Sequence, residues 1–294
     1  MGFKDYLVDI FEPTLLFGFL TGLLGIAAAV PFSRIALVPA ILAVLGVVLA
    51  QIGVNHIDDY VDFSSGIDKE TSKTKFSGGN RLMTSGRIKP APVLGIGLVS
   101  TAIAIVIGIY LILAHTILIP IVIVGAISVL FYAKYVTKVP FAAEPLSALA
   151  FALVPIGTFI VAGGPLGLLG HQLFAFVPAG IMVASAILVN GMPDRAADKK
   201  HGRRNAAALL WHSKRVALYY IAIQMLAFIL ILYGVLTHAL ASQFALAIVM
   251  AVPSAYVAAG MYFYKRPKTH EQYMAVHAAL SFLLYVLLIV AYLI

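Results

Sequence analysis

The sequence predicts an all-α membrane protein, a bundle of nine transmembrane helices. Three observations carry this reading. The 294-residue chain is 62% hydrophobic and only 11% charged, whereas a soluble domain carries about a quarter charged residues. Its apolar residues fall into nine uninterrupted stretches, each near the ~20 residues that a helix rising 1.5 Å per residue needs to cross the hydrocarbon core. Barrel-type alternation is absent, and backbone in lipid must satisfy its own hydrogen bonds, so stretches of this length read as helices.

The first span covers 13–32. Charged Lys4, Asp5, Asp9 and Glu12 precede it and no small-residue cleavage site is present, so it reads as a retained helix rather than a signal peptide. The second, 35–56, runs directly into a polar segment. The third and fourth, 91–113 and 116–135, are joined by a short link. The fifth is 145–163, and the sixth, 172–192, again ends in a polar segment. Spans 215–235, 239–261 and 272–293 complete the chain, leaving a single integral-membrane domain over 1–294 with almost no room for a soluble one. Nineteen of the twenty Lys and Arg residues then fall on one face and only Arg34 on the other. By the positive-inside rule that face is cytoplasmic, with the N-terminus on it and the C-terminus opposite, in a cell membrane. A missed or invented span would scatter the later charges across both faces.

All twelve acidic residues share the cytoplasmic face, which the orientation rule does not ask of carboxylates. The absence of cysteine excludes disulfides, thiolate ligands and thiol nucleophiles. The basic residues read as orientation and anion-gripping groups beside a lipid bilayer, and no nucleic-acid partner is expected.

At the end of span 2, Asn55, Asp58, Asp59 and Asp62 stand at i, i+3, i+4 and i+7, a spacing that puts all four on one helical face. Three carboxylates within two turns repel one another, and each charge at membrane depth costs at least ~2.5–3.5 kcal/mol, so the cluster calls for a cation. Oxygen-only ligands favour a hard ion, and Mg²⁺ typically uses one or two carboxylates plus substrate phosphates. At the end of span 6, Asn190, Asp194 and Asp198 repeat the pattern. Residues 54, 55 and 59 match 189, 190 and 194 at an offset of 135, which suggests two related half-bundles, about 1–140 and 141–294. A polar helix end with solvated carboxylates is the bland reading of one such motif, and the recurrence argues against it.

Basic residues follow each motif. Arg81, in the stretch Gly78-Gly79-Asn80-Arg81, is the expected diphosphate contact, because a guanidinium grips phosphate oxygens with a planar fork. Lys69, Lys73, Lys75 and Lys89 read as orientation charges facing the leaflet. Pro193 removes a backbone donor, frees the Val189 carbonyl and predicts a kink in span 6.

At these residues the chain resembles the UbiA superfamily of intramembrane aromatic prenyltransferases, over nearly its whole length. The family's Asn-Asp-x-x-Asp motif is similar to Asp58-Asp59-Tyr60-Val61-Asp62, with Asp58 where Asn is usual, and its second motif is matched at Asn190, Asp194 and Asp198. The resemblance implies nine helices with a cytoplasmic active-site cap over a central cavity, and transfer of a polyprenyl group from an allylic diphosphate to an aromatic acceptor. Asp68, six residues after Asp62, resembles the menaquinone-biosynthesis branch, which implies 1,4-dihydroxy-2-naphthoate as acceptor. Lys138 and Glu144 fall where that branch tends to carry Lys and Gly-Glu. Two departures stand out: the family's Arg-Pro-x-Thr-Leu appears as Glu12-Pro13-Thr14-Leu15, and the Gly before the Glu is Ala143.

On this reading Asp59, Asp62, Asp194 and Asp198 hold Mg²⁺, while Arg81, Lys138 and Lys200 stabilise the departing diphosphate. Asn55, Asp58, Asp68 and Asn190 orient ligands or phosphate. Tyr132 and Tyr135 are candidates for stabilising an allylic cation, against the alternative of a membrane-interface belt. Two rivals follow. One is an ether-lipid enzyme of the same superfamily acting on geranylgeranylglyceryl phosphate. The other is a secondary transporter, which would place its carboxylates near the bilayer midplane instead of at helix ends.

Overall fold

A computed structural model describes residues 3–294, whose regular structure is all helical, with no strand among the described residues. The helices are α1 (Phe3–Ile10), α2 (Leu15–Ala29), α3 (Leu37–Ser65), α4 (Arg81–Thr84), α5 (Pro90–Ala114), α6 (Ile119–Phe131), α7 (Ala143–Val161), α8 (Leu169–Lys200), α9 (Ala206–Leu210), α10 (Ser213–Leu236), α11 (Ala251–Tyr262) and α12 (Pro267–Leu293). A 3₁₀ segment, Ser242–Met250, leads into α11.

Each of the nine expected apolar stretches is occupied by a helical element, but they are not nine equal crossings. Seven helices of the described residues are long and apolar enough to cross a membrane. The first stretch adds an eighth only if α1 and α2 count as one span bent by 45°, a bend located at Pro13, which has no backbone donor to continue a helix. The fourth stretch is shorter than the sequence suggested. A 3₁₀ turn at Thr116–Leu118 precedes the 13 residues of α6, which at 1.5 Å per residue reach about 20 Å, below the ~30 Å of the hydrocarbon core.

The two longest helices are the two that end in aspartate motifs. With 29 residues in α3 and 32 in α8, they extend to about 44 and 48 Å, and their surplus turns carry the carboxylates beyond the apolar bundle. Helix α8 is also the most enclosed, with 72% of its apolar window buried. Its Phe176 and Met182 share one buried cluster with Phe159 of α7 and Tyr285 of α12, and its Leu188 a second with Tyr220 of α10, all essentially inaccessible. Outward-facing Leu98, Val106, Ile123, Ile229 and Val252 are exposed, as expected for side chains that face lipid tails.

Pro193, where the sequence predicts a kink, lies inside α8, which stays helical from Leu169 to Lys200. The freed Val189 carbonyl accepts a hydrogen bond from Nε2 of the buried His270 at 3.0 Å. A neighbouring helix thus satisfies the group that proline orphans, which is how membrane helices tolerate internal proline.

Candidate active site

Helices α3, α5, α6, α7 and α8 enclose a cavity of about 560 Å³. Its walls are apolar, from residues such as Val47, Ile105, Ile121, Phe151 and Val183, and polar groups gather at one end: Asn55, Asp58, Tyr132, Asn190, Asp194, Asp198, Arg203 and Asn205. The two motifs, far apart in sequence, therefore close over one chamber.

The cation at that end is Arg203, which the sequence reading did not select. Its guanidinium pairs with Asp62, lies 3.6 Å from Asp58 Oδ1 through Nη2, and lies 3.6 Å from Asp198 Oδ1 through Nη1. Burial by itself would lower the pKa of this guanidinium; the carboxylates of Asp58, Asp62 and Asp198 reverse that and raise it. Its place immediately after Gly202, in the turn that follows the second motif, was the available signal. The turn is held on both sides. Asn205 donates to Asp198 Oδ2 at 2.8 Å and accepts from the Ala208 amide at 2.9 Å, capping α9. Glu144 Oε1 accepts from the Ala206 amide at 2.8 Å, and the Arg204 amide donates to the Thr137 carbonyl at 2.7 Å. Glu144 thus anchors the turn bearing Arg203 and makes no ion pair with Lys138.

A second strap joins the motifs directly. The Ser72 amide donates to Asp194 Oδ1 at 3.0 Å, and the Ser72 hydroxyl to the Pro193 carbonyl at 3.3 Å. Gly66, left-handed at φ 81°, ends α3. The chain then turns so that Asp68 is buried beneath the strap, both carboxylate oxygens without a hydrogen-bond partner. Burial pushes the Asp68 carboxyl above its ordinary range, and Lys73 offsets part of that shift. A Cβ on Gly79, itself at φ 73°, would stand 1.9 Å from Asp68 Oδ1, so only glycine lets the strap close there. Lys73 donates to the carbonyls of Asp68, at 2.6 Å, and of Gly78; it holds the strap instead of facing the leaflet.

The other expected residues lie elsewhere. Asp59, one position and about 100° round the helix from Asp58, turns away from the cavity and accepts from Asn80 Nδ2 at 2.7 Å. Arg81 is exposed and donates to the Thr74 carbonyl within its own loop. Lys138 is exposed. Lys200 is bound to Glu70 at 2.8 Å, with a side chain 68% exposed, and that hydrogen bond lowers the Glu70 pKa. The two tyrosines separate: Tyr132 lines the cavity, whereas Tyr135 is exposed beside Lys134.

The donor set at the polar end suits a hard divalent cation. Asp58, Asp62, Asp194 and Asp198 offer oxygen only, four carboxylates against one guanidinium, and Asp58 Oδ1 is buried without a hydrogen bond. Asp58, Asp62 and Asp198 stand around Arg203, and Asp194 accepts from the Ser72 amide, so the four do not converge on one point.

The profile of the UbiA prenyltransferase family matches residues 15–285. Among curated proteins the chain is 27% identical over 213 residues to 1,4-dihydroxy-2-naphthoate octaprenyltransferase of Bacillus subtilis (strain 168), a match covering 70% of this chain and 65% of that relative's length. A solved structure of digeranylgeranylglyceryl phosphate synthase superposes with a TM-score of 0.67 at 16% identity, covering 98% of each chain. A UbiA homologue from Archaeoglobus fulgidus bound to DMAPP and Mg²⁺ superposes with a TM-score of 0.60 at 16% identity, covering 94% of this chain and 96% of that one. At these identities the structures attest the fold.

Proposed function

We propose, from the premise that the chain belongs to the UbiA prenyltransferase family, that it transfers a polyprenyl group from an allylic diphosphate to an aromatic acceptor at the cytoplasmic end of this cavity. The observation that carries the proposal is the junction of two aspartate motifs at the polar mouth of an apolar chamber. Its volume lies within the ~300–1,000 Å³ of small-molecule sites. That the Archaeoglobus fulgidus homologue is bound to DMAPP and Mg²⁺ supports the reading of this cavity as a prenyl diphosphate site, with charge at the mouth and prenyl chain inside.

In this reaction the allylic C–O bond breaks, diphosphate leaves and a C–C bond forms to the ring, which gives up a proton to solvent or, where 1,4-dihydroxy-2-naphthoate yields a naphthoquinol, loses its carboxylate as CO₂. Asp58, Asp62, Asp194 and Asp198 would hold Mg²⁺, with Asp68 supporting them from beneath the strap. When bound, Mg²⁺ supplies charge neutralisation for the leaving diphosphate. Arg203 donates to diphosphate oxygens the carboxylates cannot approach. Asn55 and Asn190, on the cavity wall, orient phosphate or ligand groups. Tyr132 offers a ring face to developing positive charge, worth roughly 0.5–2 kcal/mol, and the apolar walls exclude the water that would quench it. The proposal includes the nine-helix count, with α6 as a short crossing beside a locally thinned bilayer, the cytoplasmic cap, the two half-bundles, and residence in a cell membrane with the N-terminus inside.

The acceptor proposed is 1,4-dihydroxy-2-naphthoate, on the strength of the Bacillus relative and of Asp68 following Gly66. A second reading, a glycerol-phosphate ether acceptor, is favoured by the structural likeness to digeranylgeranylglyceryl phosphate synthase. The transporter reading has no comparable support. Product analysis with purified protein, Mg²⁺, geranylgeranyl diphosphate and a panel of 1,4-dihydroxy-2-naphthoate, 4-hydroxybenzoate, homogentisate and geranylgeranylglyceryl phosphate tests this. A Mg²⁺-dependent prenylated naphthoquinol is expected. Product only from the glycerol phosphate would transfer the assignment to ether-lipid synthesis, and folded protein inert toward every acceptor would overturn it.

A further inference from the structure

The chamber beneath the aspartates has a definite depth. On α3 its lining runs from Asp58 to Ala43, and along α6 from Tyr132 to Leu118 just before the helix; at 1.5 Å per residue both walls are about 21–22 Å long. At the end opposite the aspartates the chamber is closed. Ala43, Leu111, Leu118 and Val161 line it there, are between 2% and 8% exposed, and belong to one buried cluster. Leu111 and Val161 stand in the last turns of α5 and α7, and Leu118 in the 3₁₀ turn that enters α6. The floor is therefore built where the chain turns back at the far end of the bundle.

One wall carries a gap. Leu118, Ile121, Gly125, Val129 and Tyr132 follow one another at intervals of three or four residues, which puts them on one face of α6, and all five line the chamber. Gly125 is the residue in that row without a side chain. A Cβ built on it meets no atom within 4 Å, whereas one on Gly46 would come within 3.2 Å of Ile107 and one on Gly108 within 3.1 Å of Val122. Those two glycines let neighbouring helices approach; Gly125 leaves room inside the chamber. It stands seven residues from Tyr132 in sequence, about 10 Å below the mouth.

We propose that the chamber gauges the length of the donor's prenyl chain, with Leu111 and Leu118 as the stop and Gly125 keeping the way to it open. The inference rests on the reading of this cavity as a prenyl diphosphate site. Each isoprene unit adds four chain carbons, and single bonds of about 1.5 Å extend it by about 5 Å. With the diphosphate at the aspartates, about four units reach the floor. A fifth meets Leu118 and finds no further enclosed apolar surface, so it adds nothing to binding. The donor class assigned is an allylic diphosphate of about four units, shorter than the octaprenyl group in the name of the Bacillus subtilis relative.

The test measures the affinity of full-length protein, with Mg²⁺ and no acceptor, for unreactive prenyl thiolodiphosphates of increasing chain length. Wild type is expected to bind about tenfold more tightly with each added unit, as buried CH₂ groups accumulate, and to stop gaining after the fourth. In folded Gly125→Phe the gain should stop after the second unit, where the ring fills the gap. Leu118→Ala, which removes part of the floor, should move the stop one unit further and keeps the test decisive if Gly125→Phe does not fold. A stop at the same unit in wild type and variants, an affinity that climbs without a stop, or no affinity for any of these probes would overturn the gauge. The reading it rests on fails differently. A stop that moves as described, in protein that makes no product from any acceptor, would remove prenyl transfer and leave the gauge, whereas product formation with an unmoved stop would remove the gauge alone.

Discussion

Asp58 and Asp59 are adjacent on α3 and enter two different acid clusters. Asp58 faces the cavity, where Arg203 threads among it, Asp62 and Asp198. Asp59 faces α1, where three carboxylate oxygens converge and only a histidine stands by. The first cluster holds a resident cation, five residues after Asp198 and more than 130 residues from Asp58 and Asp62; the second has no lysine or arginine among the described residues. A built-in arginine suits a site that opens to an anionic substrate, since the same guanidinium can turn to phosphate.

The largest effect separating the two faces is expected from the cavity side. Asp62→Asn and Asp198→Asn should each lower prenyl transfer on the order of 10²-fold or more, the scale of losing a group that stabilises charge in the transition state, with protein still folded in detergent. Near wild-type turnover for both would dissolve the distinction. Arg203→Ala comes next. Removing one partner from a buried charge group costs about 3–5 kcal/mol, so the metal-free variant should melt well below wild type, and Mg²⁺ with an unreactive diphosphate analogue should raise its Tm more than it raises the parent's. Equal ligand-induced shifts would mean that Arg203 does not compensate these carboxylates.

Smaller effects test the strap between the motifs. Gly79→Ala should destabilise by about 1–3 kcal/mol, because a Cβ must enter both a left-handed backbone and the space of Asp68; a melting curve like wild type would show that the strap gives way easily. Asp68 adds a pH signature. Its folded pKa is raised above the ordinary 3.8, so the stability it contributes is intact below that value and is lost as pH rises through the raised one. In chelator, Asp68→Asn should therefore melt above wild type at neutral pH, and the gap should close toward pH 4; a gap constant with pH would remove ionisation as its cause. The smallest change is expected for Lys200→Ala, where the broken pair with Glu70 is exposed and screened by solvent, so melting and turnover should stay near wild type. A tenfold fall in turnover would instead put Lys200 back beside the diphosphate.

Much of this was legible in the chain. Uninterrupted apolar length gives helices because lipid offers backbone no other partner, and the Asp spacing on α3 and α8 marks the charged end of the bundle. The shortness of α6 and the bend at Pro13 were not legible, since hydropathy averages over a window and does not register where a 3₁₀ turn or a missing donor interrupts the ladder. Pro193 was read for the right orphan carbonyl, Val189, but not for that carbonyl's partner, because His270 comes from a helix about 80 residues on.

By itself the sequence determined that the chain is a helical membrane protein with two carboxylate motifs and basic loops on one face. These follow from composition and from periods of a few residues, which act locally. Only the tertiary structure decided which carboxylate joins which cluster, that Arg203 and not Arg81, Lys138 or Lys200 stands among the aspartates, and that Tyr132 and not Tyr135 faces the cavity. A period of 3.6 residues assigns side chains to a face of a helix, but what lies opposite that face depends on elements tens to more than a hundred residues distant. Those contacts exist only once the bundle has packed.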